Sequence, residues 1–207
     1  MTPAAVYLVM GPDVADPVAL AVAATRGGVG LIQWRDKAGD AASQIAAVKA
    51  LVAAVSVPVL VNDRVDVAHA AGAAGVHVGH GDLSAAEARA ILGPDAIIGL
   101  TIHTMEEAAA ADGAPIDYAS VGGVFETTSK KNTHPPIGID GFAAIGARLR
   151  RDRPMPLYAI AGIDAPRATA LAKAGADGVA VMGAITRAAD PMEAAAALTA
   201  AMREGRA

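Results

Sequence analysis

Gln33-Trp34-Arg35-Asp36-Lys37 closes the apolar run Val29-Gly30-Leu31-Ile32. Read as a strand, its side chains alternate between two faces. Leu31, Gln33, Arg35 and Lys37 share one face; Ile32, Trp34 and Asp36 share the other. Burying unpaired like charges costs several kcal/mol each, so the first face calls for an anion opposite it. That anion is either a set of protein carboxylates or a ligand. Asp63 closes a second apolar run as Val61-Asn62-Asp63, and Asp82 closes a third as Gly79-His80-Gly81-Asp82. Two converging carboxylates with open positions suit Mg²⁺, which keeps waters and bridges to substrate phosphate. The plainer alternatives are that Asp63 caps a helix, that Asp82 belongs to a turn before a Ser84 cap, or that Arg35, Lys37 and Asp63 form a salt-bridge network. The network leaves Lys130 unassigned. Formal charges favour the metal: a diphosphate monoester at about −3, Mg²⁺ and two Asp sum to about −3, matching Arg35, Lys37 and Lys130.

A second anion seat is indicated further along. Gly162 and Gly183 follow apolar runs, and glycine lets a ligand approach the backbone closely. The stretch 125–139 is long for a connecting loop and has the length of a lid. It carries Thr127, Thr128, Ser129, Lys130 and Lys131, hydroxyl and ammonium donors suited to phosphate; Asn132, His134, Pro135 and Pro136 fit a plain surface loop equally well. Among the histidines, His77 reads as a hydrogen-bonded core residue, while His80 and His103 lie near the same end as the charges. No H-x-x-x-H or H-E-x-x-H pattern suggests a histidine metal site. Arg148-Leu149-Arg150-Arg151-Asp152-Arg153 reads as a solvated helix end, its cations complementing the dipole.

The elements that position these residues repeat. Short apolar strand, polar turn, Ala-rich helix and glycine recur eight times. Strands are predicted near 4–10, 30–36, 57–63, 75–79, 96–102, 118–124, 156–163 and 178–185. Helices are predicted near 17–26, 41–55, 65–72, 84–92, 104–112, 140–151, 165–174 and 191–203. Near-continuous apolar strands alternating with helices mean a parallel sheet covered by helices. Eight units make one α/β domain over residues 1–207, a (β/α)8 TIM barrel, whose sites sit at the C-terminal strand ends. An open doubly wound sheet is the runner-up, weakened by the lack of G-x-G-x-x-G after the first strand. The chain has 207 residues, 54% apolar and 3% aromatic, so its core is aliphatic. A net charge of −4 argues against general nucleic-acid binding. The absence of cysteine excludes disulfides and thiolate chemistry. No signal peptide or membrane-length apolar run is evident, so a soluble cytoplasmic protein acting on small molecules is expected. A homo-oligomer is left open.

Taken in order, Gln-x-Arg-x-Lys, Val-Asn-Asp, His-Val-Gly-x-x-Asp, the Thr-x-Ser-Lys loop and Ala-Gly-Ile resemble the thiamine-phosphate synthase family. The motifs run from about residue 30 to 185. The resemblance implies a (β/α)8 barrel that joins a hydroxymethylpyrimidine diphosphate to a thiazole phosphate, releasing diphosphate with Mg²⁺. It implies that Gln33, Trp34, Arg35, Asp36 and Lys37, with Asn62, Thr101 and Lys130, hold the pyrimidine diphosphate. Asp63 and Asp82 would hold Mg²⁺. Thr127, Thr128, Ser129, Gly162, Met182 and Gly183 would hold the thiazole phosphate. Arg35, Lys37 and Lys130 would assist departure of the diphosphate. The chain departs from the family pattern at His80 for Gln, Thr101 for Ser, Gly123 for Pro, Ala161 for Gly and Gly183 for Ser. The rivals are a thiazole tautomerase-like paralogue, which would need a histidine where Gly123 stands, and a barrel that binds phosphate ligands without turnover.

Overall fold

A computed structural model of the protein describes residues 3–127 and 135–207. Thr128, Ser129 and Lys130 therefore lie outside the described residues. Eight parallel strands close into a barrel in sequence order: β1 (Val6–Met10), β2 (Val29–Trp34), β3 (Val59–Asn62), β4 (Gly75–Val78), β5 (Ile97–Ile102), β6 (Tyr118–Val121), β7 (Leu157–Ile160) and β8 (Gly178–Val181). Between them run α1 (Pro17–Arg26), α2 (Ala41–Ala54), α3 (Val65–Ala71), α4 (Ala85–Leu92), α5 (Met105–Ala110), α6 (Gly138–Leu149) and α7 (Ala165–Lys173). A one-turn α8 (Gly183–Thr186) and a long α9 (Pro191–Glu204) follow β8. No helix among the described residues is long and apolar enough to cross a membrane.

Helix starts follow local chemistry. Asp16, Asp40, Thr104, Asp164 and Asp190 each accept a backbone N–H in the first turn of the helix that follows. Ser84 and Glu87 form a reciprocal capping box on α4, satisfying donors that a helix start otherwise leaves orphaned.

Several strands stop earlier than the apolar runs suggest, always at the mouth. The third was expected to reach residue 63, but Asp63 takes φ 60°. The seventh was expected to reach 163, but Ala161 and Gly162 take φ 98° and 64°. These left-handed residues re-aim the chain where pairing ends. The eighth was expected to reach 185; instead Gly183–Thr186 turns into α8. The second ends at Trp34, although Arg35 N–H still bonds the Met10 carbonyl at 2.8 Å.

Two apolar layers result. The larger lies between sheet and helices and includes Ile32, Trp34, Val61 and Val181. The smaller fills the barrel with Tyr7, Val9, Leu31, Leu60, Tyr118, Tyr158 and Ala180. The three tyrosines pack edge to face, with ring centroids 5.2–5.9 Å apart, a favoured aromatic geometry. They form a plug, and the cavity above it opens at the C-terminal strand ends.

Candidate active site

Alternation along β2 turns Gln33 toward the cavity, and the segment just past the strand end carries Arg35 and Lys37 there. Gln33, Arg35 and Lys37 line a cavity of about 690 Å³ at the mouth. Trp34 and Asp36, expected with them, point away. Trp34 is buried between sheet and helices. Asp36 accepts the N–H groups of Ala38 and Gly39 at 3.0 and 2.8 Å, folding the turn that carries Lys37. Strand alternation turns Trp34 away, and the turn past the strand end commits Asp36 to its own backbone.

Asp63 and Asp82 come together beside Lys37. Asp63 pairs with the Lys37 ammonium, and Asp82 accepts the Gly79 N–H at 2.9 Å. Burial pushes the Asp63 carboxyl above its usual range; Lys37 draws it down, and the neighbouring Asp82 pushes it up again. Asp63 does not cap α3: Arg64 stands at that position, without a side-chain cap. The left-handed φ of Asp63 is of the kind that clusters at functional sites. Part of the plainer alternative holds: Lys37 and Asp63 do pair, and Asp82 does stand in a turn, its N–H on the Gly79 carbonyl at 3.2 Å, just before the Ser84 cap of α4. Arg35 stays out of that pair and makes no ion pair among the described residues.

Across the cavity lie Thr127, Gly162, Met182 and Gly183. A Cβ at Gly162 would overlap the Glu126 carbonyl, so only glycine lets these loops meet. Two arginines absent from the sequence expectations join this side. Arg167 donates to the Gly162 carbonyl at 2.6 Å and lies 4.6 Å over the Phe125 ring. The Arg187 guanidinium occupies the space that a Cβ at Gly183 would fill. No motif marked either one, because both sit beyond the strand ends, on α7 and just after α8.

The floor is polar and buried. Asn62 and Thr101 reach it, as expected from sequence, and Tyr7, His77 and Ser120 join them. His77 bonds Tyr118 Oη through Nδ1 at 2.8 Å and Thr101 Oγ1 through Nε2 at 2.7 Å. It is thus the hydrogen-bonded interior residue the sequence suggested. Asn62 Nδ2 and Ser120 Oγ are buried without a partner among the described residues. An unmet buried polar group costs about 1–3 kcal/mol, and of the buried side-chain atoms in this state these two lie on residues that line the cavity, whereas Trp34 Nε1 and Gln44 Oε1 do not. Ser120 was legible in principle: it follows Tyr118 by two in β6 and so faces the interior with it. At the rim, His103 and His80 share the Glu107 carboxylate, with Nδ1 atoms 3.4 and 3.9 Å away.

Fold and site together define a (β/α)8 protein with a charged, polar-floored cavity at the C-terminal mouth of its barrel. The sequence profile of the thiamine monophosphate synthase family matches residues 6–185, and the chain belongs to that family. A thiamine-phosphate synthase of Agrobacterium fabrum is 50% identical over 182 residues, covering 86% of this chain and 83% of the relative. One from Anaeromyxobacter dehalogenans is 43% identical over 203 residues, covering 97% and 89%. The solved structure of thiamine phosphate pyrophosphorylase from Pyrococcus furiosus superposes with a TM-score of 0.87 at 30% identity, covering 100% and 98% of the two chains. A geranylgeranylglyceryl phosphate synthase from Thermoplasma acidophilum, at 16% identity and TM-score 0.71, shares the fold.

Proposed function

We propose that this chain is a thiamine-phosphate synthase. It couples 4-amino-2-methyl-5-hydroxymethylpyrimidine diphosphate with a thiazole phosphate, plain or carboxylated, to give thiamine phosphate and diphosphate. The observation that carries the reading is one cavity with cationic side chains on two sides of a polar floor. Arg35 and Lys37 stand on one side, and the Gly162 and Gly183 backbone with Arg167 and Arg187 on the other. One side suits the diphosphate and the other the thiazole phosphate.

Asp63 and Asp82 are suited to Mg²⁺. Two carboxylates held side by side, one raised by burial and by its neighbour's charge, gain from a divalent cation between them. Asp63 and Asp82 would supply the oxygen ligands such an ion prefers, leaving positions for water and phosphate oxygens. Bound there, it would neutralise charge on the departing diphosphate.

The residues supply position and charge. Arg35 and Lys37, with Lys130 from the 128–134 segment, hold the diphosphate and stabilise the charge that grows as its C–O bond breaks. The electrons of that bond leave with the diphosphate oxygen. The aminopyrimidine ring supports the resulting methylene cation, and the thiazole nitrogen lone pair forms the new C–N bond. With the carboxylated thiazole, CO₂ is lost after coupling and the carbon that bore it takes up one proton from water. With the plain thiazole no proton moves in the coupling, so no strong base is needed; preorganisation supplies the rate. Arg187 fills the place of the serine hydroxyl absent at Gly183 and donates to the thiazole phosphate.

The test is incubation of both substrates with and without Mg²⁺, following thiamine phosphate by mass and diphosphate by release. The reading expects equal amounts of the two products, requiring both substrates and the metal. Thiazole isomerisation without coupling would reassign the chain to the tautomerase-like paralogue.

A further inference from the structure

Beneath the cavity five side chains from five strands form one unbroken hydrogen-bonded chain. Gln33 Nε2 donates to Tyr7 Oη. Tyr7 Oη and Tyr118 Oη lie 2.9 Å apart. Tyr118 Oη meets His77 Nδ1 at 2.8 Å, and His77 Nε2 meets Thr101 Oγ1 at 2.7 Å. Both ends, Gln33 and Thr101, line the cavity. Tyr7 and His77 also border the cavity floor, but the links between them are closed to bulk water, with Tyr7 1% exposed and Tyr118 0%. Burial pushes both phenols up, so each keeps its O–H throughout the neutral range. The fold makes room for the chain at Gly99, where a Cβ would overlap Tyr118 Oη and His77 Nδ1.

Every inner link can carry its proton in either direction, but neighbouring links must agree. In one arrangement Gln33 N–H donates to Tyr7, Tyr7 to Tyr118, Tyr118 to His77 Nδ1, and His77 Nε2–H to Thr101. Gln33 then offers its carbonyl oxygen to the cavity, and the Thr101 O–H is left to donate. A half-turn of the Gln33 amide gives the opposite arrangement. Thr101 donates to His77, the donors reverse in turn, and Gln33 offers its NH₂ while Thr101 only accepts. A mixed state sets two hydrogens or two lone pairs against each other inside the barrel, at about the cost of an unmet buried polar group. Hydrogen bonds in such a chain also polarise one another.

We propose that Tyr7, Tyr118 and His77 are positioning residues that couple Gln33 to Thr101, so that the cavity floor always presents one acceptor and one donor to the heterocycle. This rests on the synthase reading for the ligand's identity. A 4-aminopyrimidine ring, with a donating amine and accepting ring nitrogens, offers a matched partner to each end. A 4-alkoxypyrimidine offers two acceptors and would need both ends to donate, which the chain forbids. Selection for the amino group thus comes partly from Tyr118, which lies beneath the cavity lining.

The experiment measures Kd by calorimetry for the 4-amino and 4-methoxy pyrimidine diphosphates, with Mg²⁺, in the native protein and in Tyr118→Phe. Cutting the chain frees Gln33 and Thr101 to orient independently. The expected result is a preference for the amino compound that shrinks at least about tenfold in Tyr118→Phe, the worth of roughly one neutral hydrogen bond. Tyr7→Phe should act the same way, and the double variant should lose little more, since one chain is cut once. General loosening of the barrel would weaken both ligands alike and leave the ratio fixed. An unchanged ratio in both single variants, each still folded by its thermal transition, overturns the coupling even if thiamine phosphate is made. Failure to make thiamine phosphate while the amino compound still binds overturns the synthase reading instead, and the Kd ratios then judge the coupling by themselves.

Discussion

The two ends of this barrel use the same charged residue types in opposite ways. At the N-terminal end Asp117 and Asp177 each stand one residue before a strand. Asp117 accepts the Ile98 N–H at 2.7 Å and an Arg89 N–H at 2.7 Å. Asp177 accepts the Leu157 N–H at 2.7 Å and pairs with Arg150. The arginines finish their bonding on carbonyls: Arg89 on Pro94 at 2.9 Å, Arg150 on Met155 and Gly175 at 2.9 and 2.8 Å. These charges are complete within the protein. At the C-terminal mouth Asp63 faces both an ammonium and another carboxylate, and Arg35 and Arg187 have no ion-pair partner among the described residues. The pairing of charges, rather than their presence, separates a stitched end from an end that awaits a ligand.

The largest expected effect on stability breaks the stitched end. Asp177→Asn should cost about 2 kcal/mol of stability. That is less than the 3–5 kcal/mol of a fully buried pair, because a third of each side chain is exposed. Asp82→Asn at the mouth should leave the denaturation midpoint nearly unchanged, and urea titration of the two variants makes the contrast direct. At the anion seat, Arg187→Ala should raise KM for the thiazole phosphate about tenfold, the scale of one charge-assisted hydrogen bond. KM for the pyrimidine diphosphate should stay unchanged, as steady-state kinetics with each substrate varied would show.

The tyrosine plug between the two ends predicts a pH dependence. Burial raises the phenols, Tyr158 to about 12 from an ordinary 10.0. The stabilisation is complete below pH 10 and is lost as pH rises toward the folded-state value, because the unfolded chain ionises first. Each tyrosine held neutral should cost about 1.4 kcal/mol per pH unit in that window. Denaturation midpoints from about pH 8 to about 11 should fall at the alkaline end, and less steeply in Tyr158→Phe. The smallest effect concerns backbone strain at the mouth. Ala161 holds φ 98°, a region suited to glycine, so Ala161→Gly should stabilise by about 1 kcal/mol or less, read as a rise in Tm.

Much of the mouth could be read from the sequence because it depends on local period. Alternation put Gln33, Arg35 and Lys37 on one face, and apolar runs ending in Asp63, Asp82 and Thr101 marked strand ends. The same rule, applied consistently, would have removed Trp34. The stitched end was not legible. Arg148 to Arg153 read as a solvated helix terminus, yet Arg148 binds Asp112 36 residues away, and Arg150 binds Gly175 and Asp177 25 and 27 residues ahead. Those partners meet only when the barrel closes. Arg187 was hidden for the converse reason. The glycine at 183 signals a close approach to the backbone, but not which side chain fills the space.

The most direct test of the contrast is turnover per folded molecule, measured side by side for Asp63→Asn and Asp177→Asn as thiamine phosphate formed from both substrates with Mg²⁺. The account predicts that Asp63→Asn loses about a hundredfold or more in rate with its fold intact. Asp177→Asn should keep near-native turnover at a temperature where it stays folded. Near-native turnover in Asp63→Asn, with a comparable loss in folded Asp177→Asn, would contradict the assignment of function to the mouth.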